Sequence, residues 1–121
     1  MSNTDEDTPI AALKTRVAEF ARDREWEQFH TLKNLSVALA VEAAELMEPF
    51  QWLEGEQCDE LLRDPAKREA VEDELADVVI YALQIANRGG VDLAVAIDRK
   101  MKKNARRYPV DLAKGNSDKR S

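Results

Sequence analysis

Residues 31–50 read TLKNLSVALAVEAAELMEPF, and on a helical wheel at about 100° per residue Leu35, Leu39, Leu46 and Phe50 fall in one narrow apolar arc. Glu42 falls inside that arc, and Glu45 lies at its edge. Thr31 is placed to cap this helix, while Pro49 and Gly55 set its end. A carboxylate among leucines is costly to bury unless something offsets its charge. Residues 64–90, DPAKREAVEDELADVVIYALQIANRGG, repeat the pattern. Asp64-Pro65 is a cap followed by a first-turn proline, and it opens a helix to about Arg88 that Gly89-Gly90 ends as a left-handed C-cap would. Val71, Leu75, Val78, Ala82 and Ala86 form its core stripe, with Glu74, Asp77 and Tyr81 along the flank. Two helices thus each offer an acid pair at i,i+3. A shared cation is the simplest compensation for four such carboxylates. Acidic pairs at this spacing are also frequent on solvated or salt-bridged helix faces, which is the competing reading for Glu45 and Asp77.

The rest of the chain reads as helix too. Thr8-Pro9 resembles another cap-plus-proline start, and Ile10, Leu13, Val17 and Phe20 carry a first helix to about Asp23. Cys58 to Leu62 reads as a short connecting turn. Asp92 caps a last helix to about Arg107, where Tyr108-Pro109 stops it. With four glycines and four prolines in 121 residues there is little turn material, so the expected class is all-α, a four-helix bundle in one domain over residues 9–112. Polar tails at residues 1–8 and 113–121 are expected to be disordered.

Composition excludes several functions. One cysteine, Cys58, and one histidine, His30, cannot form an internal disulfide or supply a zinc set. No run reaches the roughly 18 apolar residues of a membrane span, so a soluble, cytoplasmic protein with no membrane partner is expected. The net charge of -6 argues against binding a nucleic-acid polymer, which draws affinity from clustered Lys and Arg. Four carboxylates without imidazole or thiolate make a hard oxygen site suited to Mg²⁺, with Mn²⁺ as a substitute. A ferritin-like di-iron bundle would instead carry Glu-x-x-His.

Three further features stand beside the acids. In the last helix, Leu93 and Ile97 begin a stripe that Lys100, Asn104 and Arg107 continue, so an apolar face ends in donors that suit phosphate and sugar oxygens. A helix fraying into solvent, with cations favoured near its C-terminus, accounts for the same pattern. Trp26, Phe29, His30 and Trp52 flank the second helix where its periodicity fails; they suit a stacking wall for a nucleobase or padding of loops against the bundle. Ile80, Val41 and Ala44 lie opposite the core stripes, and a helix apolar on two sides suggests a subunit interface.

The array Glu42-x-x-Glu45 and Glu74-x-x-Asp77 resembles the metal motif of the MazG-like all-α nucleoside triphosphate pyrophosphohydrolases. Within that family the dCTP pyrophosphatase branch is the nearest in pattern. The shared segments are Arg24-Glu-Trp-Glu-Gln-Phe-His-Thr31, Glu48-Pro-Phe-Gln-Trp52, Asp77-Val-Val-Ile-Tyr81 and Lys100-Met-Lys-Lys-Asn-Ala-Arg-Arg-Tyr-Pro109. The resemblance spans roughly Leu13 to Leu112 and departs slightly in Ala43-Ala44, where Gly or Val is usual; small residues still fit there. It implies an Mg²⁺-dependent enzyme that splits a nucleoside triphosphate into monophosphate and pyrophosphate, assembled as a homodimer or a dimer-of-dimers homotetramer. Glu42, Glu45, Glu74 and Asp77 would then hold the metal. Trp26, His30, Trp52 and Tyr81 would form the base and sugar pocket, and Lys100, Asn104, Arg107 and Tyr108 the phosphate and sugar contacts. Glu45 is the preferred group to orient or deprotonate the attacking water. The alternatives are an all-α dUTP or broad-specificity pyrophosphatase, and a non-catalytic helical interaction module.

Overall fold

Capping side chains set where the helices begin. Thr31 accepts from the Asn34 amide at 3.1 Å, Asp64 from those of Ala66 and Lys67 at 3.0 and 3.4 Å, and Asp92 from that of Val95 at 3.0 Å. Each satisfies a first-turn N–H that the helix ladder leaves unpaired. The computed structural model describes residues 3–118. It contains α1 (Ile10–Asp23), α2 (Leu32–Met47), α3 (Gly55–Leu61), α4 (Pro65–Gly89), α5 (Leu93–Arg107) and α6 (Val110–Ala113). The described residues include no strand. The all-α class expected from composition is the class observed. The expected tails at residues 1–8 and 113–121 lie in part outside the described residues.

The first helix starts one residue later than its sequence suggests. Pro9 has an extended backbone, with ψ at 154°, and caps α1 without a side-chain bond; Thr8 is not the cap. Gly90 ends α4 with φ at +64°, the left-handed conformation expected there. Two single 3-10 turns, Glu27–Phe29 and Glu48–Phe50, bracket α2.

The chain divides into two compact units, one ending at Gly90 and the other beginning at Val91. In the first, α4 is the central element, packed by both α2 and α1. Its core is small: Ala21, Leu35, Leu83 and Ala86 are buried, and Gln84 joins them as a buried polar residue. Leu39, Leu46 and Phe50 are half-buried as the wheel implies, but Leu75 is 51% exposed. The wheel identifies a face, and nothing among the described residues fully covers that end of it. The side of α4 opposite its core stripe has two fates. Gln84 and Asn87 receive α1, whereas Ile80, with Val37 and Val41 on α2, stays exposed.

The second unit is α5 and the single turn α6, which follows Pro109. Along α5, Asp98 and Lys102 pair at 3.0 Å on an exposed face, and Ile97 is exposed. Among the described residues no single helix is long and apolar enough to cross a membrane.

Candidate active site

Helical spacing brings the acids together. Glu42 and Glu45 sit one turn apart on α2, and Glu74 sits on the facing stretch of α4. One carboxylate oxygen from each of these three lies within 4.8 Å of the others. The Oε2 atoms of Glu42 and Glu74 are shut off from solvent and have no hydrogen-bond partner among the described residues. Burial raises the Glu42 carboxyl to about 7, helped by the neighbouring carboxylates of Glu45 and Asp77. Burial also raises Glu74, with the charge of Glu45 the next cause. Asp77 lies outside the 4.8 Å group but is near enough for its charge to act on both.

Carboxylates crowded together, partly desolvated and left without donors are unfavourable as anions. A divalent cation removes all three penalties at once, since it neutralises the charges and fills the missing contacts. The donor set, oxygen only, fits a hard metal ion.

A second feature lies between α1 and α4. A cavity of about 250 Å³ is lined by Ala18, Ala21, His30, Gln84, Asn87 and Arg88 among others. The turn after α1 brings His30 to its lining and sets Trp26 near that ring. The Trp26 amide bonds the Ala21 carbonyl at 2.9 Å, made possible by Glu25 in a left-handed conformation with φ at 55°. Phe20 meets Trp26 edge-on at 5.7 Å, and Trp26 lies 6.5 Å from the His30 ring. The Arg24 guanidinium lies over the Phe20 ring, 3.5 Å from its centroid.

Residues 37–121 match the model of the MazG-like family. The chain belongs to the MazG-like family. Its sequence is 46% identical over 100 residues to dCTP pyrophosphatase 1 of Bos taurus, which covers 83% of this chain and 59% of that protein. It is 46% identical over 102 residues to dCTP pyrophosphatase 1 of Homo sapiens, over 84% and 60% of the two chains. The chain therefore spans about three-fifths of the length of these curated relatives. A solved pyrophosphatase from Archaeoglobus fulgidus superposes with a TM-score of 0.77 at 39% identity, over 83% of this chain and 92% of that one.

Within this MazG-like chain the sequence-expected site residues fall into distinct places. Glu42, Glu45 and Glu74 converge. Trp26 and His30 neighbour each other, and Tyr81 is half-buried one turn beyond Asp77. Trp52 follows the turn after α2 with 87% of its surface exposed. On the second unit, Lys100 is exposed while Asn104, Arg107 and Tyr108 are half-buried. The Arg107 guanidinium lies 5.4 Å from the Tyr108 ring, and its Nε is buried with no partner among the described residues. The sequence reading missed Gln84, Asn87 and Arg88. The available signal was a pair of amides three residues apart on the far side of an otherwise apolar stretch of α4.

Proposed function

We propose that this chain is a Mg²⁺-dependent nucleoside triphosphate pyrophosphohydrolase that acts on dCTP, giving dCMP and pyrophosphate. The observation that carries the reading is the pair of solvent-shielded, partnerless oxygens on Glu42 and Glu74, converging with Glu45. The names of the bovine and human relatives support dCTP as the substrate. In this reading Glu42, Glu45, Glu74 and Asp77 hold the metal. When bound, Mg²⁺ neutralises triphosphate charge and makes a coordinated water more acidic. Glu45 orients a water for in-line attack on the α-phosphorus and takes its proton. The bond from that phosphorus to the bridging oxygen breaks, and pyrophosphate leaves with the electron pair.

The cavity beside His30 and Trp26 takes the base. Gln84 is seven residues beyond Asp77 on α4, and Leu35 is seven residues before Glu42 on α2. On both helices this is an axial rise of about 10 Å, in keeping with the reach from a nucleobase to its phosphates. Tyr81, between Asp77 and Gln84 on α4, is assigned to the base and sugar, whereas Trp52 follows the opposite end of α2 from this cavity and is not brought to it within one chain. On the second unit, Lys100, Asn104, Arg107 and Tyr108 carry donors suited to phosphate and sugar oxygens, and the unpaired Arg107 Nε supports an anion there. Exposed Val37, Val41 and Ile80 support assembly as a homodimer or homotetramer, which light scattering tests.

Incubation with each nucleoside triphosphate, with Mg²⁺ or with chelator, tests the reaction. Monophosphate and pyrophosphate from dCTP, abolished by chelator, is the expected outcome. Diphosphate and phosphate would exclude attack at the α-phosphorus, and preferred turnover of dUTP would move the assignment to the dUTP or broad-specificity type. If neither Mg²⁺ nor a non-hydrolysable dCTP analogue shifts the melting temperature, the chain is a helical interaction module instead. Glu45→Gln is expected to lose far more in kcat than in nucleotide affinity; equal losses would make Glu45 a metal ligand only.

A further inference from the structure

We infer that Gln84 and Asn87 are positioning residues for the nucleobase, acting by locking the register of α1 against α4; the inference rests on the cavity taking the base. Gln84 Nε2 donates to the Val17 carbonyl at 2.7 Å, and Asn87 Nδ2 donates to the Lys14 carbonyl at 2.9 Å. Donors and acceptors are each three residues apart and run in opposite senses, so the two bonds form a two-rung clamp between antiparallel helices. Both acceptors are main-chain carbonyls inside α1, where the helix ladder already engages them. The clamp therefore reads the position of α1 and not the identity of its side chains. Asn87 Nδ2 also approaches Gln84 Oε1 at 3.5 Å, which orients the Gln84 amide with its nitrogen toward α1.

The register matters because of what α1 shows the cavity. Ala18 and Ala21 line it, and their neighbours in sequence, Val17 and Phe20, are larger. A slip of α1 by one residue breaks both rungs and turns a larger side chain into a space of about 250 Å³. The same slip carries Trp26 and His30 along. Trp26 is tied to the end of α1 through Ala21 and through its ring contact with Phe20. The acid cluster, by contrast, sits on α2 and α4 alone. The clamp thus governs base binding without touching the metal ligands.

Gln84→Met and Asn87→Leu, singly and combined, remove the donors at nearly constant volume. Because the α1 carbonyls keep their helical partners, no buried acceptor is stranded and the variants are expected to fold. In the double variant KM for dCTP rises roughly five- to tenfold, kcat changes less than about twofold, and the preference for dCTP over dUTP narrows. The melting shift produced by Mg²⁺ alone stays at its wild-type value. Relative to that double variant, Gln84→Met combined with Asn87→Gln, which has one amide donor on a longer stem, recovers part of the KM. Unchanged KM and selectivity in the double variant, with wild-type turnover intact, overturn the clamp alone. A fall in kcat together with loss of the Mg²⁺ shift also overturns it, by showing a general structural role. Absence of any nucleoside triphosphate turnover by the wild-type chain overturns the proposed function, and the clamp's role in base binding with it.

Discussion

Glu74 and Gln84 stand ten residues apart on α4, each with polar atoms drawn out of water, and the chain treats them in opposite ways. At Gln84 the amide is committed to the Val17 carbonyl. At Glu74 an oxygen is withheld from solvent and given nothing, and burial raises the carboxyl. Folding alone explains the first arrangement, since a buried donor that finds its acceptor stabilises the packing of α1. It does not explain the second, which is an electrostatic cost to the folded chain. A satisfied polar group describes how the protein holds itself together; an unsatisfied one describes what it holds.

The contrast is sharpest if one substitution moves function and stability in opposite directions. Glu74→Gln is expected to lower kcat/KM for dCTP by at least roughly a hundredfold, of the order seen when the support of a metal site is lost. The same change should leave the metal-free melting temperature equal or higher, because it deletes a charge from a crowded cluster. A fall in that melting temperature would show that Glu74 serves the fold.

The pH dependence of the metal-free chain is the next largest effect. Glu42 sits near 4.5 in the unfolded chain and at about 7 in the folded one, so the folded state holds this proton more tightly. Its contribution to stability is full below pH 4.5 and is lost as pH rises through about 7. The metal-free protein should therefore melt at lower temperature at pH 7.5 than at pH 5, and Mg²⁺ should restore more of that loss at the higher pH. A metal-free melting temperature that rises across this interval would contradict the crowding. The smallest effect belongs to the amide end of α4. Gln84→Met and Asn87→Leu should each destabilise by only about 1 kcal/mol by thermal melting, the net worth of an ordinary hydrogen bond, and both should lower the melting temperature where Glu74→Gln does not.

The acid end of α4 was legible in the sequence and the amide end was not, for a physical reason. Helix periodicity is a local signal, so caps at Thr31, Asp64 and Asp92, the left-handed Gly90, and the placement of Glu42 within a leucine arc all follow from residues a few positions apart. Gln84 and Asn87 have their partners 67 and 73 residues away, and those partners are backbone carbonyls with no sequence signature. The exposure of Leu75 escaped for a related reason, since a wheel assigns faces without saying whether the same chain supplies a cover. The start of α1 shifted by one residue because Pro9 is equally at home as a cap and as a first helical residue.

Trp26 and Trp52, the chain's two indoles, differ in how far they stand in water. Trp26 lies against Phe20 and near His30 with 44% of its surface exposed, whereas Trp52 has 87% of its surface in water. The protein therefore carries its own pair of optical probes. Emission from Trp52 should be the more red-shifted and the more open to a dissolved quencher, with Trp26 the less accessible of the two. A base entering the cavity would change the Trp26 signal, so nucleotide occupancy becomes readable from intrinsic fluorescence without any label.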